Sequence, residues 1–136
     1  MDTATPAAAT LRVPGAELYY ELRGHGPLIA LHAAPMDAAS FIPLAELLAV
    51  DHTVLTCDPR GINRSRVDHP DRDVTPEIRA DDLARLVHHV DAGPATLLGS
   101  SGGAVSALAL TQAHPELVDT VIAHEPPLVE LLSDCE

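Results

Sequence analysis

The sequence predicts an α/β fold, a mostly parallel sheet with helices on both faces. Three observations carry this expectation. Short apolar runs alternate along the chain with amphipathic helical stretches, the pattern of parallel strands joined by right-handed crossovers. Leu28-Ile29-Ala30-Leu31-His32 is an almost unbroken apolar run, as a strand covered on both faces requires. Gly99-x-Ser101-x-Gly103 stands between another such run, Ala95–Leu98, and an apolar helical stretch, so the chain must turn tightly from strand to helix there.

Taken in order, residues 1–10 are rich in Ala, Thr and Pro and are expected to form a disordered tail. Leu11–Val13 and Leu18–Leu22 flank Pro14-Gly15 and read as a hairpin at a sheet edge. Gly24–Pro27 is a turn into the strand at 28–32. The loop His32-Ala33-Ala34-Pro35-Met36-Asp37 should lead to a helix with Ser40 as N-cap and Pro43 in its first turn. Leu44, Leu47 and Leu48 would share one face of that helix. A strand is expected over His52–Cys57, followed by a polar loop from Asp58 to Asp73.

Thr75 before Pro76 is a helix-start signature, and Ile78, Leu83, Leu86, Val87 and Val90 mark the stripe that helix turns to the core. Asp91–Pro94 closes it and hands over to the strand that ends at Ser101. Pro115 should end the helix after Ser101. A last strand over Thr120–His124 precedes Glu125-Pro126-Pro127 and a helix start at Leu128–Leu132.

Composition narrows the classes of function. The 136 residues suffice for one domain with a single core, built mainly from Ala, Leu and Val because Tyr19, Tyr20 and Phe41 are the only aromatics. Eight basic residues, all Arg, oppose twenty acidic ones, a formal charge of −12. Nucleic acid and anionic membranes both need a positive footprint, so neither is expected as a partner. Cys57 and Cys135 lie far apart with no CxxC spacing, and residues 1–10 lack a basic start and an apolar run, so a reduced, cytoplasmic protein is the default expectation. There is no HExxH, no Cys/His cluster and no GxGxxG after the first parallel strand, and no metal or cofactor is expected.

In Gly99-x-Ser101-x-Gly103, with a strand before it and a helix after it, the chain resembles the α/β-hydrolase superfamily, more closely its cofactor-independent serine hydrolases of the esterase and haloperoxidase-like type. The resemblance runs from about residue 11 to the end and covers the first half of the family's usual domain. Residues 11–136 are accordingly read as the N-terminal half of such a core, with the start of a cap helix at 128–132. It implies that Ser101 is the nucleophile and that the N–H of Gly102 is one oxyanion donor. His32-Ala33-Ala34-Pro35 resembles the family's HGxP, which implies a second donor at the N–H of Ala33 or Ala34, with Ala34 favoured. Ala33 in place of Gly is a departure, since a turn with positive φ would strain Ala. Asp58-x-Arg60-Gly61 resembles the DxRGxGxS turn, with Asn63 where Gly is more usual; Asp58 and Arg60 are read as bracing that turn, and His32 as bracing its loop.

A serine hydroxyl needs a base to take its proton and an acid to orient the base. In the family both usually follow strands later than 120–124, beyond this chain's end. His124 as a makeshift base and Glu125 as acid are the alternatives within it. The resemblance thus implies a small ester-like or thioester-like substrate and acyl transfer at Ser101, Ser rather than Asp setting the chain apart from the family's epoxide hydrolases and haloalkane dehalogenases. For this short chain little or no activity is expected. The reading from another class is a non-catalytic, truncated half-domain whose strand at 120–124 is an exposed edge, paired in a homodimer or by a complementing C-terminal half.

Overall fold

The computed structural model describes residues 5–131. One mixed sheet organises them. Its strands are β1 (Ala7–Val13), β2 (Ala16–Arg23), β3 (Leu28–Ala34), β4 (Thr53–Cys57), β5 (Arg66–Val67), β6 (Ala95–Ser101) and β7 (Val118–His124), in the order β1-β2-β4-β3-β6-β7 with β5 on β2. The pairs β3–β4, β3–β6 and β6–β7 are parallel, whereas β2 is antiparallel to β1, β4 and β5. Three helices connect the strands: α1 (Ile42–Leu48), α2 (Pro76–Val90) and α3 (Gly102–Ala113).

The strands' two-residue alternation divides the core into two layers. Leu28 and Ala30 of β3, Leu55 of β4 and Leu97 of β6 face α2 and α3, where Leu83, Leu86, Val87, Ala107 and Leu110 complete the larger cluster. Leu31 and Val54 face the other way and pack with Ala45 of α1, with Ile29, Phe41, Leu48 and Leu98 at the margin. Helices therefore lie on both faces, as the sequence predicts.

Four expectations need correction. The stretch read as a tail contains strand: β1 begins at Ala7 and pairs residue for residue with β2, from Ala7 opposite Leu22 to Val13 opposite Ala16. The partner strand supplies the hydrogen bonds that a run of Ala and Thr does not signal by itself. Ser40 is not the cap of α1; Ala38–Phe41 form a 3-10 turn, and Phe41 occupies the N-cap with no side-chain hydrogen bond. The Leu44–Leu47 face points outward, Leu47 being 74% exposed, and Ala45 is the residue that α1 buries. The helix start expected at 128–132 is a single 3-10 turn over Val129–Leu131, and residue 132, like Cys135, lies outside the described residues.

The remaining element reading holds. Thr75 caps α2 by accepting a hydrogen bond from the Ile78 N–H at 3.3 Å, and the helix begins at Pro76. The two-residue strand β5 falls inside the loop that the sequence leaves as irregular. No helix among the described residues is long and apolar enough to cross a membrane.

Candidate functional site

The carboxyl ends of β3, β4, β6 and β7 form one edge of the sheet, the side where ligands of such folds bind. Ser101 sits there as the last residue of β6 and the N-cap of α3, with φ 55° and ψ −125°. This lies outside the regions an L-residue adopts without cost. The surrounding glycines make it possible. A Cβ on Gly99 would lie 2.4 Å from the Gly103 carbonyl oxygen, and one on Gly103 would lie 2.4 Å from the His32 carbonyl oxygen. Strand β6 and helix α3 thus meet at backbone contact, and β3 presses against the first turn of α3. Ser101 itself is exposed and makes no capping hydrogen bond.

Beside it runs the end of β3, with Ala34 in register with Ser101 and Ala33 with Ser100. Gly102 approaches Ala34 so closely that a Cβ there would be 3.0 Å from the Ala34 carbonyl oxygen. The backbones of Gly102 and Ala34 are therefore immediate neighbours of Ser101. The strain expected at Ala33 is absent: Ala33 and Ala34 continue β3 as ordinary strand residues, and the turn begins at Pro35.

His124 and Glu125 reach the same edge but do not engage Ser101. His124 is in register with Ser100, and its Nδ1 shares a 2.9 Å hydrogen bond with the Ser100 hydroxyl. Glu125 is exposed, with φ 48°, where β7 turns away from the sheet. The alternation of the strand explains the offset, because neighbouring residues project to opposite sides and only one of the two serines can face His124.

His32 braces its surroundings from within. It is buried on the α2 side, and its Nδ1 lies 3.7 Å from Cys57 Sγ. Burial, with the nearby Arg79 charge, lowers its pKa from an ordinary 6.5 to about 4, so it is neutral at pH 7. Burial likewise pushes the Cys57 thiol up to about 12, with Asp58 and Asp82 adding to the shift, and an un-ionised thiol is a poor nucleophile.

Asp58 and Arg60 do more than brace their own turn. Asp58 is fully buried at the end of β4; burial would raise its carboxyl, but hydrogen bonds from Arg64 and from the Ala38 and Arg64 N–H groups outweigh it and hold the pKa below its usual value. Arg64 donates Nε at 2.8 Å and Nη2 at 3.2 Å to that carboxylate, and its guanidinium stacks 3.8 Å from the Tyr19 ring centre. Arg60 forks onto Asp82 of α2 at 2.7 and 2.9 Å and donates to the Pro14 carbonyl, joining the β4 turn to α2 and the first hairpin. Ser65 completes the turn by donating to the Asp58 carbonyl at 2.6 Å and accepting from the Tyr19 N–H. No group of three or more His, Cys, Asp and Glu side chains among the described residues is arranged to hold a metal ion.

Comparison with known proteins bears on this geometry. The family model described as alpha/beta hydrolase fold matches residues 26–135. The uncharacterized hydrolase YraK of Bacillus subtilis (strain 168) is 44% identical over 124 residues, which cover 90% of this chain and 46% of that protein. The 2-(acetamidomethylene)succinate hydrolase of Mesorhizobium japonicum is 33% identical over 102 residues, 74% of this chain and 36% of that one. Among solved structures, E-2-(acetamidomethylene)succinate hydrolase superposes with a TM-score of 0.79 at 28% identity, over 88% of this chain and 44% of its own. The chain spans less than half the length of each of these relatives.

Proposed function

The chain belongs to the alpha/beta hydrolase family, and on that premise we propose that it carries the nucleophile of a serine hydrolase acting on ester or thioester bonds. The observation that supports this best is Ser101 itself, exposed at φ 55° on a turn whose flanking glycines leave no room for a Cβ. A strained serine of this kind presents its hydroxyl above the sheet edge, and strain of this sort persists where the surrounding structure imposes it.

In the proposed reaction Ser101 Oγ attacks the carbonyl carbon and gives its proton to a base. Negative charge gathers on the carbonyl oxygen, and the N–H groups of Gly102 and Ala34, whose backbones adjoin Ser101, are the proposed donors that receive it. Collapse of the tetrahedral intermediate expels the alcohol or thiol and leaves an acyl-enzyme, which water then cleaves. Since His124 is engaged by Ser100, we assign the base and its acid to a segment outside residues 5–131, or to a second polypeptide, and expect weak turnover from this chain alone. The proposed substrate is a small molecule.

Labelling with a fluorophosphonate, followed by intact mass, tests the reading. The expected result is a slowly formed adduct on the wild-type chain that is absent from Ser101→Ala. A folded wild-type chain that gains no adduct, or a Ser101→Ala chain that still does, would overturn it. A second reading, favoured by the exposure of β7, is a non-catalytic half-domain that associates through that edge.

A further inference from the structure

The segment that joins β3 to α1 is held from outside by two hydrogen bonds, both from the turn that follows β4. Ala38 N–H donates to Asp58 Oδ1 at 2.9 Å, and Asn63 Nδ2 donates to Asp37 Oδ2 at 2.9 Å. Upstream, Ala34 is the last residue of β3 and the last of it paired with β6, in register with Ser101. Only Pro35 and Met36, both exposed, lie between the two points of attachment.

We infer that Asn63 and Asp58 are positioning residues, a clamp on Asp37 and Ala38 that holds the end of β3, and with it the Ala34 N–H, beside Ser101. The inference deepens the proposed function and rests on it for its catalytic meaning, because Ala34 matters to a reaction only if charge develops next to it.

Asn63 is the more telling of the pair. It stands at φ 45°, where glycine would fit at no steric cost, so the backbone gives no reason for a side chain at this position. The side chain supplies the bond to Asp37, whose other carboxylate oxygen faces the Ser40 hydroxyl at 3.5 Å. Asp58 could not act alone: of the four hydrogen bonds its carboxylate accepts, three come from Arg64, within its own turn, and only the one from Ala38 crosses to the β3 loop. The amide-to-carboxylate bond from Asn63 adds a second point of attachment one residue away, and two points fix an orientation that one leaves free to swing.

Asn63→Gly in the full chain is the decisive variant, since a role confined to the turn and the clamp predict different outcomes. Were Asn63 only a turn residue, glycine would leave stability level or raised and the neighbouring loop untouched. The clamp predicts amide exchange about tenfold faster at Ala38, whose N–H donates to Asp58, read by NMR, with the urea midpoint little changed. Asp37→Ala should reproduce the effect, and the double variant should exchange no faster than either single one. Unchanged exchange at Ala38, or additive effects in the double variant, would overturn the clamp.

Fluorophosphonate labelling then reads the catalytic side. In Asn63→Gly the rate at saturating probe should fall about tenfold while the half-saturating concentration stays in place. The reverse pattern would assign Asn63 to the binding surface and overturn a positioning role. A wild-type chain that takes no label would count against Ser101 as nucleophile, and the exchange result would still decide the clamp.

Discussion

At the scale of single residues, His32 shows how a group near the site can be chemically silent and still govern stability. Its folded pKa of about 4 lies below its ordinary 6.5, so between these values the unfolded chain binds a proton that the folded chain refuses. The contribution is fully present above about pH 6.5, declines as the pH falls toward 4, and is constant below that. The full shift corresponds to about 3 kcal/mol. Urea unfolding at pH 7, 5.5 and 4 should therefore show a fall in stability that His32→Phe largely removes, the slope with pH being the readout. An equal slope in both proteins would show that His32 titrates normally. Asp58, whose carboxyl is held below the usual carboxylate range, begins to lose its own contribution as the pH falls into that range, but it does so in both proteins, and the comparison with His32→Phe cancels it. The sequence marks His32 as a brace of the loop it opens rather than a base, but not how it braces, since Cys57 and Arg79 are far from it along the chain.

At the scale of elements, the contact between β6, α3 and β3 is built on the absence of side chains. A Cβ on Gly103 would collide with the backbone of His32 and Ala33, at 2.4 and 2.6 Å, and no rotamer can relieve a clash between backbones. Gly103→Ala should cost about 3 kcal/mol or more, with β3 and α3 forced apart. Gly93→Ala is the control: that glycine has φ 84° with nothing within 4 Å, so the loss should be limited to backbone strain of about 1–2 kcal/mol. Urea midpoints compare the two directly, and equal losses would mean that the close approach is not what Gly103 permits. This contact was legible in the sequence because two glycines at fixed spacing around a serine are a local signal. The face that α1 buries was not legible. Periodicity groups Leu44 with Leu47 and Leu48, yet nothing in the spacing says which side of a short helix meets the sheet, and Ala45 took the inner position. The clamp from Asn63 to Asp37 was hidden for the same reason, since a bond spanning 26 residues leaves no mark on local pattern.

For the whole molecule, the sheet ends on β7, which pairs with β6 on one side and with no other described strand on the other. Its residues are intermediate or exposed throughout, and Ile122, in its middle, is 49% exposed. An open edge with an apolar residue is a template for another strand. The chain's charge of −12 opposes that pairing between copies, because two such bodies repel at low ionic strength. The two effects respond differently to salt: screening weakens the repulsion over distances beyond about 8 Å at physiological ionic strength and leaves the apolar contact intact. Sedimentation of the full chain should therefore show a monomer in dilute buffer and a growing dimer fraction as salt is raised. Ile122→Lys should abolish the dimer although it also lowers the net negative charge, which by itself would favour association. That opposition is what makes the variant informative. If Ile122→Lys dimerises as well as wild type, the contact lies elsewhere on the surface, and if wild type stays monomeric at every salt concentration, β7 does not act as a docking edge between copies.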